Sequence, residues 1–326
     1  MLRIGILGAS GIAPAAVIRP AARRTDVSIV AVASRRPFAA ADYAATHNIE
    51  RSYDDYRALL VDPNIDLIYN SLPPSEHAAW SIAALEAGKD VLCEKPFAMN
   101  AAQAKRMLAS AQATGHRLIE AFHDRYHPLS LEIDAVMSSG RLGDIVSLRA
   151  DFSVCNPFDP RGIRHVPSLG GGALMDLGCY PLHWVRSLMN EEPAVLSATA
   201  STNPLGADTS VQSELRFPSG TTAHVSASME AGPNETSTLD IFGTRGTVHV
   251  DNLVFPSAGH SIIETVDGIT QVSTVAGRTT YDHQLEAIVL ALANYTPLPT
   301  EGADSINNMV TIDAIYAAVG IDRSFI

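Results

Sequence analysis

The chain has little cysteine, no long apolar run and no cluster of basic residues, and each absence excludes a class of protein. Its three cysteines, Cys93, Cys155 and Cys179, are too few and too scattered for a disulfide framework or a zinc ribbon, and they favour a reducing compartment. No apolar run reaches the length of a membrane span, and the first predicted strand begins early enough to leave no room for a signal peptide. The sequence therefore predicts a cytoplasmic protein, and no metal site is expected.

Positive charge is also scarce. The chain carries 23 lysines and arginines against 35 aspartates and glutamates, which gives a formal net charge of −12. A protein that follows the phosphates of a nucleic acid normally shows a basic stripe, and no run of lysine or arginine lies on a predicted face. Nucleic acid is therefore not an expected partner, whereas a local basic pocket for one anion is compatible with the sequence.

What the sequence does contain is typical of a two-domain protein. The chain has 326 residues, which is too long for one ordinary core, and 46% of them are hydrophobic. Up to about residue 122, short β-branched runs alternate with amphipathic segments rich in alanine and leucine, an order that indicates a parallel sheet covered on both faces. The sequence predicts a Rossmann-type α/β domain over residues 1–122. Its predicted strands are 3–7, 28–33, 67–70, 90–93 and 117–121, and its predicted helices are 12–23, 38–46, 53–60, 75–87 and 101–114.

After residue 122 the pattern changes to successive strands. Residues 218–220 (PSG) and 244–246 (TRG) have the composition of hairpin turns, and consecutive hairpins predict an antiparallel sheet. Residues 123–326 are therefore expected to form an α+β domain that binds the substrate, with two terminal helices that are candidates to pack back on the first domain. One sheet face has no other helices to cover it, so we expect an apolar face and a homodimer. The predicted strands are 145–153, 195–202, 210–217, 221–229, 238–242, 247–250, 261–265 and 270–275, and the predicted helices are 128–139, 173–189, 282–293 and 305–319.

Residues 4–13 (IGILGASGIA) combine a strand, a glycine-rich turn and the start of a helix. Small residues let the backbone approach a pyrophosphate, and the helix N-terminus presents N–H groups and a positive dipole end to it. Read as G-x-G-x-x-A, the segment has Ser10 in place of the second glycine, a departure from the fingerprint, but its position at the first strand–helix junction supports a dinucleotide site. An ordinary tight turn is the alternative. The predicted contacts are Gly8, Ser10, Gly11, Ile12 and Ala13.

The end of the second predicted strand indicates which dinucleotide binds. Enzymes that use NAD carry an acidic residue there for the ribose 2′-hydroxyl. This chain has Ser34, Arg35 and Arg36 at that place and no carboxylate. A hydroxyl and a guanidinium are the partners that a 2′-phosphate prefers, so the predicted cofactor is NADP, with a solvated turn as the alternative.

Two further motifs carry candidate catalytic residues. Residues 91–96 (VLCEKP) place Lys95 just beyond the carboxyl end of a predicted strand, where ligands bind in open α/β sheets. Residues 170–183 (GGGALMDLGCYPLH) place Asp176 and Tyr180 four residues apart, on one face if the segment is helical. A single lysine of this kind is more often a surface residue, and a single tyrosine is often part of a core.

Taken together, these motifs resemble the Gfo/Idh/MocA family over nearly the whole chain. The resemblance also includes residues 70–77 (NSLPPSEH), 120–122 (EAF) and 125–128 (RYHP). It implies a Rossmann domain followed by a domain with a large open, mainly antiparallel sheet whose face often forms a dimer. It also implies hydride transfer at a secondary alcohol or hemiacetal carbon of a sugar, cyclitol or related diol. Tyr180 stands where many members have histidine, which resembles the branch of dimeric dihydrodiol dehydrogenases and NADP-dependent xylose dehydrogenases.

The resemblance assigns roles to the candidate residues. Hydride loss from a carbinol carbon requires loss of the hydroxyl proton, so a base must reach that oxygen. A phenol titrates near roughly 10, and a neighbouring ammonium favours phenolate, so Tyr180 is the expected acid/base and Lys95 its partner. Asp176 would orient Lys95 or a substrate hydroxyl, and His183 is either a substrate contact or structural. The other expected cofactor contacts are Ser71, Leu72, Pro73, His77, Glu94, Lys95 and Arg164, of which Arg164 could equally be a surface residue.

Two alternative functions fit the same motifs. A glycoside-processing enzyme of this family would retain its nicotinamide and use transient oxidation, and a bound cofactor that is not consumed would identify it. A dinucleotide-binding regulator without turnover could dispense with Lys95 and Tyr180, yet both are present. Substrate choice depends on loops such as residues 155–167.

Overall fold

The computed structural model describes residues 1–230, 232 and 235–323 of the chain. They form two compact units, the first built from Met1–Phe122 and Tyr281–Ile306, the second from His123–Thr280 and the described residues after Ile306. A late helical segment therefore belongs to the N-terminal fold. None of the described helices is long and apolar enough to cross a membrane.

The first unit contains a parallel sheet. Its strands are β1 (Leu2–Leu7), β2 (Val27–Ala33), β3 (Arg51–Tyr53), β4 (Leu67–Asn70), β5 (Asp90–Cys93) and β6 (Leu118–Glu120). Within the described residues these six strands lie in the order β3-β2-β1-β4-β5-β6. The order reverses between β1 and β4, and open α/β sheets bind ligands beyond the carboxyl ends of their strands at such a switch point. The predicted Rossmann-type domain is confirmed.

Helices alternate with these strands along the chain. They are a π-helical turn (Pro14–Ile18) continued by α1 (Arg19–Ala22), then α2 (Ala39–His47), α3 (Tyr56–Leu60), α4 (Pro74–Glu86) and α5 (Ala101–Thr114), with α8 (Thr280–Asn294) added late in the sequence. The apolar runs of the strands are buried because helices pack against the sheet, as Ile6 and Leu67 show. Leu285 and Ile288 of α8 join the same core.

One predicted helix begins later than expected. The pattern predicts a helix over residues 53–60, but Arg51–Tyr53 form the edge strand β3, which pairs with β2, and α3 starts at Tyr56. Asp55 fixes that start, since its carboxylate accepts a hydrogen bond from the Arg57 N–H at 3.0 Å. A strand of three residues is too short to show alternation, so the sequence pattern merges it with the helix.

The second unit contains a mixed sheet. Its strands are β7 (Ile145–Ser153), β8 (Ala194–Thr202), β9 (Asp208–Arg216), β10 (Thr222–Ser228), β11 (Thr236–Gly243), β12 (Gly246–Val250), β13 (Ile262–Val266) and β14 (Ile269–Ser273). In the part of the chain that the structure describes, these eight strands lie in the order β14-β13-β12-β11-β7-β10-β9-β8. The prediction of a large, mainly antiparallel sheet is confirmed, except that β7 and β10 are parallel. The chain after β7 passes through a helix before it returns to the sheet, and such a crossover permits a parallel neighbour.

The inner face of this sheet packs against a π-helical turn (Leu174–Gly178) continued by α7 (Cys179–Met189). The unit also contains α6 (Pro128–Ser138) and α9 (Ala303–Val319), which joins it from Asn307 on. Leu148, Ala150 and Phe152 of β7 are buried on the inner face. Strand alternation therefore turns the residues between them to the opposite face.

The centre of that opposite face is polar, while the exposed apolar side chains Phe242, Ile263 and Val272 lie on it toward the β14 edge. His224 lies 2.7 Å from Glu214 through Nδ1 and Oε1, and Ser226 donates to Asp151 at 2.7 Å. Arg149 is exposed between them on β7. The period-two pattern of β7, β9 and β10 places mainly polar and charged residues outward, so the apolar face expected for a homodimer is present only in part.

Candidate active site

The glycine turn follows β1 directly. Gly8 has φ +96°, a backbone conformation that favours glycine, and a Cβ there would also lie only 3.1 Å from Leu72 Cδ2. A Cβ at Gly11 would meet no atom within 4 Å, which leaves the outer side of the turn open as a pyrophosphate site needs. The predicted dinucleotide turn therefore has a fitting backbone.

Side chains of the first unit hold this turn in place. Ser10 Oγ accepts a hydrogen bond from the Ala13 N–H at 3.3 Å, and Tyr43 Oη donates to the Ser10 carbonyl at 2.9 Å. Burial raises the pKa of Tyr43 to about 12, so this tyrosine stays a hydrogen-bond donor. Ile12 is partly exposed beside them, and the helix that follows begins with a π turn, an irregularity that is frequent at functional sites.

The end of β2 lies against the same turn. Arg36 donates from Nη2 to the Ala9 carbonyl at 3.2 Å, and its N–H donates to Ser34 Oγ at 3.3 Å. Arg35 lies over the Tyr56 ring, with 5.0 Å between Cζ and the ring centroid. The Arg36 guanidinium thus lies against the glycine turn with the Ser34 hydroxyl beside it, while Arg35 Nη2 lies 3.4 Å from Glu76 Oε2. A guanidinium and a hydroxyl are partners that a 2′-phosphate prefers.

The loop after β4 uses its polar groups inside the protein. Ser71 Oγ donates to the Leu7 carbonyl at 2.9 Å. The ring of His77 lies 2.8 Å from the Leu72 carbonyl through Nε2 and 2.9 Å from the Pro96 carbonyl through Nδ1. Burial lowers the pKa of His77 to about 4, so the ring is neutral. A neutral ring carries one N–H, so His77 donates to one of these two carbonyls, and Ser71 and His77 together position the loop that includes Leu72 and Pro73.

Lys95 follows β5 at the carboxyl edge of the first sheet. The Lys95–Pro96 peptide bond is cis. The preceding residue, Glu94, accepts a hydrogen bond from Tyr69 Oη at 2.5 Å, and its N–H donates to the Asn70 carbonyl at 3.0 Å. Burial, and then the Glu94 charge, raise the pKa of Tyr69 well above its ordinary value, so Tyr69 keeps its proton. Neighbouring strands thus fix the backbone on which Lys95 stands.

Asp176 lies in the second unit, on the π turn before α7. Its Oδ2 accepts a hydrogen bond from Arg164 Nε at 2.7 Å, and the Arg164 side chain is 55% exposed while that of Asp176 is 18% exposed. The structure therefore brings together Arg164 and Asp176, which belong to different sequence segments. The exposed guanidinium of Arg164, beside the largely buried Asp176 carboxylate, can donate hydrogen bonds to a polar ligand.

Tyr180 lies on α7 and is buried. Its hydroxyl is 3.0 Å from Nε2 of His123, and Nδ1 of His123 is 2.7 Å from Thr280 Oγ1. Tyr180 and Asp176 stand on one continuous helical segment, but each has a partner from a different part of the chain. The phenol that the sequence singled out is thus linked to a buried imidazole.

His183 is fully buried one turn further along α7. Its Nε2 lies 3.4 Å from Ser187 Oγ. The adjacent Trp184 donates from Nε1 to Asp124 at 2.6 Å, and burial raises the pKa of Asp124 although the nearby His183 acts in the opposite direction. These contacts favour a structural role for His183 over contact with a substrate.

Three residues near the site carry no signal in the sequence. Tyr43 holds Ser10, Tyr69 holds Glu94, and His123 contacts Tyr180 from 57 positions away in the chain. None belongs to a spaced motif, and each acts through a contact that only the fold creates. For His123 the one available hint is its place between residues 120–122 and 125–128, which both belong to the family resemblance.

Comparison with known proteins agrees with this geometry. Residues 2–122 match the oxidoreductase family with an NAD-binding Rossmann fold, and residues 130–249 match the GFO/IDH/MocA C-terminal domain. The chain is 33% identical over 329 residues to D-xylose 1-dehydrogenase (NADP(+)) 2 of Haloferax volcanii, covering 98% of this chain and 100% of that protein. It is 35% identical over 232 residues to a trans-1,2-dihydrobenzene-1,2-diol dehydrogenase of Xenopus laevis, covering 71% of this chain and 69% of that protein.

A solved structure shows the same fold. KijD10, a 3-ketoreductase from Actinomadura kijaniata in complex with NADP and TDP-benzene, aligns with a TM-score of 0.90 at 25% identity, covering 98% of each chain. Both family matches, the full-length relative and the shared fold lead to one conclusion. The chain belongs to the Gfo/Idh/MocA family of NAD(P)-dependent oxidoreductases.

Proposed function

We propose that this chain is an NADP-dependent oxidoreductase that moves a hydride between the nicotinamide and a secondary alcohol or hemiacetal carbon of a sugar, cyclitol or cyclic diol. The observation that carries the cofactor assignment is the contact between Arg36 and the glycine turn, with Ser34 and Arg35 alongside. The relatives named for D-xylose and for a dihydrobenzene diol support the substrate class, since both substrates offer a secondary carbinol or hemiacetal carbon.

The first unit supplies the groups that would hold NADP. The turn from Gly8 to Ala13 would receive the pyrophosphate, and Ser34–Arg36 would receive the 2′-phosphate. The loop 71–77 and residues 94–95 would line the nicotinamide end. The bound nicotinamide supplies the hydride chemistry, and the protein positions and polarises the substrate.

The proton chemistry belongs to side chains of the protein. Tyr180 Oη would take the proton of the substrate hydroxyl during oxidation and return it during reduction. Lys95 would donate a hydrogen bond to the same substrate oxygen, and its positive charge would favour the phenolate form of Tyr180. Asp176, paired with Arg164, would bind and orient a second substrate hydroxyl.

A substrate screen tests the proposed reaction. Purified protein would be incubated with NADP⁺ and with aldoses, cyclitols or dihydrodiols, and NADPH formation would be followed by absorbance. We expect net NADPH formation with at least one class. A protein that purifies with bound nicotinamide and converts substrate with no net NADPH would instead be the glycoside-processing alternative. Dinucleotide binding without turnover on any class would indicate a regulator.

Cofactor choice gives a quantitative prediction. NADP(H) should bind at least about tenfold more tightly than NAD(H), a difference of about 1.4 kcal/mol. Arg36→Ala should remove most of this preference, because the 2′-phosphate loses a charge-assisted hydrogen bond while the rest of the cofactor is unaffected. Arg24→Ala is the matched control, since that guanidinium pairs with Asp26 on the surface of the same unit. Equal affinities of the wild-type protein for both cofactors in calorimetric titration would contradict the assignment.

The expected homodimer rests on the family resemblance and on an open sheet face whose centre is polar and whose strands β13 and β14 expose Ile263 and Val272. Two polar faces can still pair through complementary charges such as those of Arg149 and Asp151. Light scattering at micromolar concentration should give the mass of two chains of 34.7 kDa. The mass of a single chain under those conditions would rule the dimer out.

A further inference from the structure

Tyr180 shares its hydroxyl with a histidine for which the reaction outlined above has no role. His123 Nε2 is 3.0 Å from Tyr180 Oη, and His123 Nδ1 is 2.7 Å from Thr280 Oγ1. All three residues are buried and belong to the second unit. They form a chain of three polar groups that continues from the phenol oxygen into the protein.

Aromatic packing fixes the geometry of this chain. The His123 ring is stacked on Phe255 with centroids 5.8 Å apart, and the Tyr180 ring meets Phe152 edge-on with centroids 5.5 Å apart. Neither ring can turn away without losing this packing. In such apolar surroundings a hydrogen bond is stronger than in water, and its loss is costly.

The hydrogen-bond chemistry of the three groups selects one arrangement for catalysis. A phenolate oxygen can only accept, so when Tyr180 acts as a base, His123 Nε2 must carry the hydrogen and donate it. His123 Nδ1 then carries no hydrogen and must accept a hydrogen bond. The Thr280 hydroxyl can donate that bond, because a hydroxyl is both donor and acceptor. The reverse arrangement, with Tyr180 donating to Nε2, would direct the phenol proton away from a substrate.

We propose that His123 is a positioning residue for the acid/base Tyr180: its Nε2–H, held by Thr280, binds the phenol oxygen, favours the phenolate and aims the transferable proton at the substrate. The inference rests on the proposed function, since it requires Tyr180 to exchange a proton with substrate. In oxidation the substrate O–H bond breaks and its proton forms the Tyr180 O–H bond. His123 neither gains nor loses a proton in that step, and it keeps donating to the same oxygen.

Two variants at position 123 separate this role from packing. His123→Leu removes the donor, and kcat for oxidation should fall by about 10- to 100-fold, the range for losing a hydrogen bond to a charged group. The ascending limb of the pH profile for oxidation should move up by about 1 to 2 units, since the phenolate loses stabilisation. His123→Gln keeps an N–H that can reach Tyr180, and it should retain at least about a third of kcat with a nearly unshifted limb. KM and NADPH affinity should change little in both variants.

Control variants test whether other ionisable groups or a loss of folding explain the effects at position 123. Asp124 is adjacent to His123 in the chain, Asp176, Cys179 and His183 stand on the same helical segment as Tyr180, and all four titratable side chains stay intact in every variant. His127→Leu removes another buried imidazole, whose Nδ1 accepts from the Leu129 N–H, so it should lower Tm without moving the pH limb. Thr280→Val, a small change, should shift the limb in the same direction as His123→Leu and tests the inference even if that variant does not fold.

The outcomes distinguish the two levels of the proposal. If Tyr180→Phe loses turnover while His123→Leu and Thr280→Val keep the wild-type pH limb, the inference about His123 fails and the proposed function stands. The inference also fails if His123→Leu and His123→Gln lose activity equally with an unmoved limb, because that result indicates packing alone. If Tyr180→Phe keeps its turnover and pH profile, the acid/base assignment and the role of His123 fall together.

Discussion

Tyr180→Phe is expected to lower turnover by about 10²- to 10⁴-fold, the usual range for losing general acid–base catalysis. The change removes one hydroxyl and keeps the ring, whose edge-on contact with Phe152 and burial on α7 are preserved. The fold and the NADPH affinity should therefore be almost unchanged. The loss should appear in kcat and kcat/KM alike, because the hydroxyl acts in the transition state and not in ground-state binding.

The pH profile gives the second readout of this variant. In the wild-type enzyme, oxidation should rise with pH to a plateau whose limb lies well below the roughly 10 of a free phenol. In the proposed mechanism the positive charge of Lys95 and the hydrogen bond from His123 would both favour phenolate, so both would act in that direction. The limb should disappear in Tyr180→Phe, because the group that titrates there is gone.

Tyr316→Phe is the matched control. Tyr316 is also a buried tyrosine of the second unit, and its hydroxyl donates to Asp208 at 2.8 Å. Losing that bond should lower the free energy of unfolding by about 1–3 kcal/mol, since a buried acceptor loses its donor, with turnover unchanged. If Tyr180→Phe keeps more than about a third of wild-type turnover with the same pH profile, a general acid–base role for Tyr180 is wrong. His183 would then be the next candidate, although its complete burial disfavours it.

Much of the fold follows from the sequence because hydrophobic runs and turn residues act locally. The predicted bounds of β4, β5, β7 and α5 coincide with those observed, since each element is long or strongly apolar and is bounded by turn residues. The edge strand β3 was missed because three residues show no period. The parallel pairing of β7 with β10 depends on a crossover, which no local pattern encodes.

The site divides in the same way. Sequence motifs identify binding segments whose residues are consecutive in the chain, such as the turn from Gly8 to Ala13 and the group Ser34–Arg36. They do not identify partners that approach through the fold, such as His123 for Tyr180 or Arg164 for Asp176. Nor do they show that the side chains of Ser71 and His77 hydrogen-bond to carbonyl groups on other parts of the chain; their contact with the cofactor stays a prediction.

Lys95→Ala is expected to be at least as damaging as Tyr180→Phe, a loss of about 10²-fold or more in turnover. In the proposed mechanism the substitution would remove a hydrogen bond to the reacting oxygen and the charge that favours phenolate, so it would weaken two contributions to one step. Lys95 follows β5 on a backbone fixed by Glu94, Asn70 and Tyr69, so truncation of its side chain should leave the fold intact. Lys105→Ala, an exposed lysine on α5 of the same unit, is the control and should have wild-type activity.

The double variant decides whether the two residues act as a unit. When two groups serve the same proton transfer, removing the second costs little once the first is gone, so Lys95→Ala with Tyr180→Phe should be little worse than Lys95→Ala alone. Single-turnover rates measured with saturating NADP⁺ would report this without interference from product release. Independent residues would give the product of the two single losses, roughly 10⁴-fold or more. That result would contradict a shared role and would assign Lys95 to substrate binding, separate from the acid/base chemistry of Tyr180.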